Sequence, residues 1–206
     1  MHTQTIHVYL PEGFADWEVG LALAHLNRHE AQFMPTPFAV RTVGETRAPV
    51  RTMAGMTLMP DLALEDVSPD SSAMWMLPGG TSWDAGRNVA AAELARAFVD
   101  AGAPVAAICG ATAGMARAGL LDARAHTSNA RDYLAATGYA GGARYVDAPA
   151  VTDGGVITAS SLAPVDFAKA VFEALGVFEG PLLDAWHGLF STGEPRYFFE
   201  LQTALG

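Results

Sequence analysis

The 206-residue chain contains one cysteine, Cys109, in the stretch Ala106-Ala107-Ile108-Cys109-Gly110-Ala111-Thr112-Ala113-Gly114. An apolar run ends at this residue and a run of small residues begins. The pattern predicts a strand over 104–108 and a helix opening at Gly110, which would place Cys109 in a nucleophile elbow. Such a turn lifts one side chain out of the sheet, and small neighbours let backbone N–H groups come close to it. The free N–H groups and the positive end of the helix would favour thiolate over thiol and lower the cysteine pKa. The alternative is a small buried hydrophobe, the commoner fate of an isolated cysteine.

Other segments supply groups that could work with a sulfur nucleophile. After the first predicted strand come Glu12, Asp16 and Glu18. A carboxyl beside sulfur is useful either protonated, donating to a thiolate, or as an acid and base, and burial next to a negative sulfur raises its pKa. Glu18, directly after Trp17, is the preferred candidate; the competing reading for each acid is solvated decoration of a helix N-terminus. Pro78-Gly79-Gly80 is either a plain turn or part of an oxyanion hole, in which the Gly80 and Gly110 amides face a developing negative oxygen. Losing one such donor costs about 2.7–4 kcal/mol of transition-state stabilisation. His126 could be a base or orienting group for Cys109, or could cap and pack at a helix start. Asp16, Gly79 and Trp83 are candidate pocket residues, and Trp83 and Trp186 could equally be core. His2, His7, His25, His29 and His187 fall at a terminus, in a strand, in the first helix or in the aromatic tail, with no ligand spacing among them.

These residues can meet only if the intervening elements bring them together. Strands are expected at 5–10, 38–43, 73–77, 104–108, 150–152 and 156–159. A hairpin around Ala54-Gly55 is expected within 50–59, and a helical turn over 61–67. Helices are expected from Trp17 through Leu26, over 90–101, from Gly110 to Ala118, over 130–136 with Ser128 or Asn129 as N-cap, and over 164–175. Strands alternating with helices imply a three-layer α/β sandwich with a mostly parallel central sheet. The carboxyl ends of its strands share one crevice. Residues 1–206 are expected to form one domain, with an aromatic tail from about 177 packing on it or at a dimer interface.

Composition narrows the function. Half of the residues are hydrophobic and 17% charged, which suits a globular domain with a full core. A net charge of −10 argues against nucleic acid and anionic membranes, which need clustered cations. Lys169 is the only lysine, so Schiff-base and P-loop chemistry are disfavoured, and one cysteine allows neither an internal disulfide nor a multi-thiolate zinc site. With no basic, apolar leader and no long apolar run, a cytoplasmic protein that does not span a membrane is expected.

Ala107-Ile108-Cys109-Gly110-Ala111, Leu77-Pro78-Gly79-Gly80, Phe14-Ala15-Asp16-Trp17-Glu18 and the segment from Gly119-Leu120-Leu121-Asp122 to His126-Thr127-Ser128-Asn129 together resemble the ThiJ/PfpI family, over the chain from the first strand to about Leu175. The Ala-Asp-Trp-Glu and His-Thr-Ser-Asn pieces are similar to a bacterial subgroup labelled amidase, protease or amidotransferase. The resemblance implies a flavodoxin-like, class I glutamine-amidotransferase-like fold and a homodimer. It maps Cys109 to a reactive, oxidation-sensitive cysteine, Glu18 to its protonated carboxyl partner, Gly80 and Gly110 to backbone oxyanion donors, and His126 to a histidine found near the cysteine in some members. Protease-like members carry His directly after the nucleophile, where this chain has Gly110, and often Glu where it has Ala15. A glutamine amidotransferase would need a His-x-Glu pair that 156–163 lacks. Two functions follow as expectations: a cysteine-dependent hydrolase or glyoxalase-like lyase acting on a small electrophilic carbonyl or amide without cofactor or metal, or a redox sensor whose Cys109 is oxidised to sulfinic acid.

Overall fold

Seven strands make the central sheet, and their period-2 alternation decides which side chains enter which layer. The computed structural model describes residues 4–27, 33 and 35–206, so His2 and His29 lie outside the described residues. In chain order the strands are β1 (Gln4–Tyr9), β2 (Phe38–Gly44), β3 (Val50–Arg51), β4 (Thr57–Leu58), β5 (Leu62–Ala63), β6 (Met74–Leu77), β7 (Val105–Ile108), β8 (Ala150–Asp153) and β9 (Val156–Ala159). The large sheet runs β5-β2-β1-β6-β7-β9-β8, with β3 and β4 forming a separate hairpin. Every pair in the large sheet is parallel except β8 with β9. β7, which leads into Cys109, lies between β6 and β9 with all four residues buried.

The helices are α1 (Asp16–Leu26), α2 (Thr81–Asp84), α3 (Val89–Asp100), α4 (Gly110–Arg117), α5 (Arg131–Ala135), α6 (Pro164–Leu175), α7 (Gly180–Thr192) and α8 (Pro195–Leu205). On one sheet face Ile6, Val8, Met74, Met76, Ile108 and Ile157 pack with Val19 and Leu26 of α1 and with Phe167, Val171 and Phe172 of α6. On the other, Tyr9, Trp75, Leu77, Val105 and Ala107 meet Ala95 and Phe98 of α3 and the small residues of α4. The sandwich expected from the sequence is therefore present.

Two local expectations are corrected. The segment 61–67 opens with the edge strand β5, registered Val43↔Leu62 and Gly44↔Ala63, and only 64–66 make a 3-10 turn. Two backbone pairings to β2 outweigh the local helical preference. The N-cap of α5 is Ala130, without a side-chain cap bond, because Ser128 Oγ sits 2.6 Å from Thr112 Oγ1 and Asn129 is engaged elsewhere. The aromatic tail forms two helices, α7 and α8, separated by Gly193 at φ 69°. Trp186 is fully buried in the core, and its Nε1–H donates to His25 Nε2 at 3.1 Å. Since an indole nitrogen only donates, His25 is the tautomer that carries its proton on Nδ1, donated to Leu21 O at 2.7 Å.

Candidate active site

Cys109 has φ 58° and ψ −127°, a left-handed backbone that a residue with a Cβ adopts only under constraint. The constraint comes from both sides. Its N–H donates to Ala159 O on β9 at 3.0 Å, and its carbonyl accepts from Thr112 N at 3.1 Å and Thr112 Oγ1 at 2.6 Å. The strand thus hands over to α4 with the sulfur turned out at the carboxyl edge of the sheet, as the elbow pattern predicts.

Glu18 is completely buried on the first turn of α1. Its Oε2 accepts from the Gly79 N–H at 2.6 Å, while Oε1 has no hydrogen-bond partner among the described residues. Gly79 is the gap between the two groups. A methyl built there would lie 2.7 Å from Cys109 Cβ and 2.7 and 2.9 Å from the Glu18 oxygens, so only glycine leaves them a common space. Gly79 therefore serves the carboxyl and does not offer its amide to an oxyanion. The Gly80 amide has no backbone acceptor among the described residues, and a methyl on Gly110 would lie 3.2 Å from Gly80 O. Gly80 and Gly110 are thus neighbouring residues at the elbow.

Burial pushes Glu18 up to about 7, against the lowering influence of the neighbouring Cys109 side chain and of the Gly79 N–H. Burial also pushes the Cys109 thiol up to about 11, reinforced by the Glu18 charge and opposed by hydrogen bonds from Asn129 and Gly110. This corrects the expectation of a lowered thiol pKa. A helix N-terminus contributes about 0.3–1 kcal/mol, less than one pKa unit, whereas desolvation of a buried group can shift it by several units. The two groups share a pocket that resists a second negative charge, so the pair retains one proton through neutral pH.

The remaining candidates divide. His126 is buried, with Nδ1 2.8 Å from Arg124 O and Nε2 2.9 Å from Tyr139 Oη. Both ring nitrogens are occupied, and the structure does not bring this histidine to the sulfur. Trp83 is core: it is fully buried, donates from Nε1 to Pro78 O at 2.9 Å, and covers Gly114 of α4. Asp16 accepts from Ala54 N–H at 2.9 Å and ties α1 to the β3–β4 hairpin, and Glu12 accepts from Arg51 N–H at 3.4 Å in the same region. A groove of about 590 Å³ between α7 and α8, lined by Pro181, Asp184, Tyr197 and Phe199, contains none of these groups.

Two features were not anticipated. Asn129 Nδ2 donates to Cys109 Sγ at 3.4 Å. Tyr133 Oη donates to Asp84 at 2.6 Å, and its own acidity is weakened by burial, by Asp84 and by the charge of the sulfur. Within the sequence, the run Thr127-Ser128-Asn129 before a helix reads as capping, and the one available signal was that no cap needs three polar residues.

The chain is thus an α/β sandwich with a cysteine on a strand-to-helix elbow at the carboxyl ends of parallel strands, beside a buried carboxyl. It belongs to the DJ-1/PfpI family, whose profile matches residues 4–174. It is 35% identical over 209 residues to a Bacillus subtilis protein named as the uncharacterized protease YoaZ, covering 100% of this chain and 99% of the relative. A deglycase of Pyrococcus abyssi is 36% identical over 115 residues, which cover 54% of this chain and 66% of the deglycase. The structure of a thiJ/pfpI family protein from Bacillus anthracis superimposes with a TM-score of 0.88 at 35% identity, covering 98% of each chain. The family resemblance read from the sequence is borne out.

Proposed function

We propose that the protein is a cysteine-dependent enzyme that acts on a small electrophilic carbonyl or amide, in the manner of a glyoxalase or deglycase. One observation carries this reading: the buried, unpartnered Oε1 of Glu18, in the space it shares with Cys109. An orphaned buried carboxyl oxygen costs about 1–3 kcal/mol or more, a cost that a proton-accepting role beside a nucleophile explains. In this mechanism Cys109 Sγ adds to the carbonyl carbon, and the thiol proton passes to the Glu18 carboxylate. The carbonyl oxygen becomes an oxyanion facing the Gly80 and Gly110 amides. With a pKa of about 7, Glu18 can take that proton and return it near neutral pH. The names of relatives divide between protease and deglycase. The absence of a histidine on Cys109 Sγ in the described residues favours small carbonyls over peptides.

The test is turnover of methylglyoxal and of a small primary amide, followed by product formation in wild type and Cys109→Ser. Turnover abolished by the substitution supports the proposal. No turnover of either, combined with oxidation of Cys109 at near-stoichiometric peroxide, favours the redox-sensor reading, for which the partial exposure of Cys109 is the supporting observation. A homodimer is part of the proposal. The exposed Trp17, Met53 and Met56, near the docked β3–β4 hairpin, are the apolar surface that supports it, and light scattering measures it.

A further inference from the structure

We propose that the Asn129 amide stabilises the Cys109 thiolate, and that Ser161 and Trp17 are positioning residues that fix which end of that amide faces the sulfur. The inference rests on the nucleophile reading above and deepens it. Asn129 comes from the loop before α5, whereas Ser161 follows β9 and Trp17 lies on α1, so three separate elements converge on one hydrogen-bond chain. Ser161 N–H donates to Asn129 Oδ1 at 2.9 Å, and Asn129 Nδ2 donates to Cys109 Sγ at 3.4 Å. A flipped amide would set the Ser161 N–H against another donor and turn an oxygen toward the sulfur, so the backbone N–H dictates the orientation. Trp17 Nε1–H in turn donates to Ser161 O at 3.3 Å, holding the same residue by its other peptide group.

The position has a chemical purpose. When the S–H bond breaks, the proton goes to Glu18 and the electron pair stays on sulfur, opposite a fixed N–H that becomes a charge-assisted donor. Among the described residues no histidine donates to the sulfur, and both nitrogens of His126 are bonded elsewhere. The buried, unpartnered oxygen of Glu18 marks the same space as a reaction site independently of Asn129.

The experiment measures the apparent pKa of Cys109 in two ways, by the pH dependence of iodoacetamide alkylation and by ultraviolet thiolate absorbance with the Cys109→Ser spectrum subtracted. Wild type, Asn129→Ala, Asn129→Asp and Trp17→Phe are compared after circular dichroism and thermal melting establish that each is folded. Asn129→Ala is expected to raise the pKa by about one unit, a roughly tenfold loss of thiolate at a fixed lower pH. Asn129→Asp should raise it further, because a carboxylate replaces the donor. Trp17→Phe, which keeps the ring and loses the N–H, should shift it in the same direction by less. Superimposable titrations of wild type and Asn129→Ala would overturn the proposal, and an unchanged titration in Trp17→Phe would remove the positioning role. Because neither readout requires turnover, a protein inert toward carbonyls whose thiolate still responds to Asn129 would sink the enzymatic reading alone.

Discussion

At the scale of single residues, the site turns on two groups that share one proton. The Glu18 charge is among the causes that raise the Cys109 pKa, so Glu18→Gln should lower that pKa by roughly one unit and speed alkylation at pH 8 about tenfold. The same variant should lose carbonyl turnover, because Gln cannot accept the thiol proton. Faster alkylation with lost turnover separates the electrostatic influence of Glu18 from its proton-transfer role. Slower alkylation would mean instead that the carboxyl is protonated and donates to the thiolate in the resting enzyme. Cys109 and Glu18 were legible in the sequence because an elbow and a carboxyl at the start of the helix after the first strand are local patterns. Asn129 was not, since its partners Cys109 and Ser161 lie far along the chain, and a polar residue before a helix looks like a cap. His126 misled for a related reason: proximity in sequence to Asn129 says nothing about which way a ring points.

At the scale of elements, the elbow is held by the way α2 and α4 pack. The Trp83 ring covers Gly114, while its Nε1–H holds Pro78 O and so fixes the loop whose Gly79 amide binds Glu18. A methyl on Gly114 would drive into that ring. Gly114→Ala is therefore expected to destabilise the fold by about 1–3 kcal/mol and to reduce turnover without altering any reacting group, as read by urea unfolding and steady-state kinetics. Gly20→Ala is the matched control. It lies on exposed α1 surface with nothing within 4 Å of an added Cβ, and should stabilise by about 0.5–1 kcal/mol with activity unchanged. Equal effects of the two would mean that helix propensity, not contact with Trp83, governs both. The long helices and buried strands were readable because their apolar periods, with Pro164 opening α6 and Gly176 at φ 61° closing it, are written locally. The edge strand β5 and the four-residue α2 were not, because each depends on a partner far along the chain and is too short to show a period.

At the scale of the whole molecule, the buried site is visible as a pH dependence of stability. Glu18 has its pKa raised from 4.5 to about 7 on folding. Below pH 4.5 both folded and unfolded chains hold the proton, and the contribution to stability is full. Between pH 4.5 and about 7 the unfolded chain ionises while the folded one keeps its proton, so stability falls as pH rises, by about 3 kcal/mol in all. Above about 7 the folded carboxyl ionises too and the loss levels off. The histidines work against this slope. His7 and His25 are both pushed below 6.5 by burial, and His25 additionally must keep Nε2 unprotonated to accept from Trp186. Their contribution is lost as pH falls below 6.5, because the unfolded chain then gains protons that the folded chain refuses. A simple stability profile of the wild type would therefore mix opposing slopes and could look flat. The difference between Glu18→Gln and wild type isolates the carboxyl, since the histidines contribute equally to both. Urea unfolding at a series of pH values should show the variant gaining about 3 kcal/mol relative to wild type from pH 4.5 to 7. A constant difference across that range would mean that Glu18 ionises at its ordinary value in the folded protein, and would remove the carboxyl from any role as a proton acceptor tuned to neutral pH.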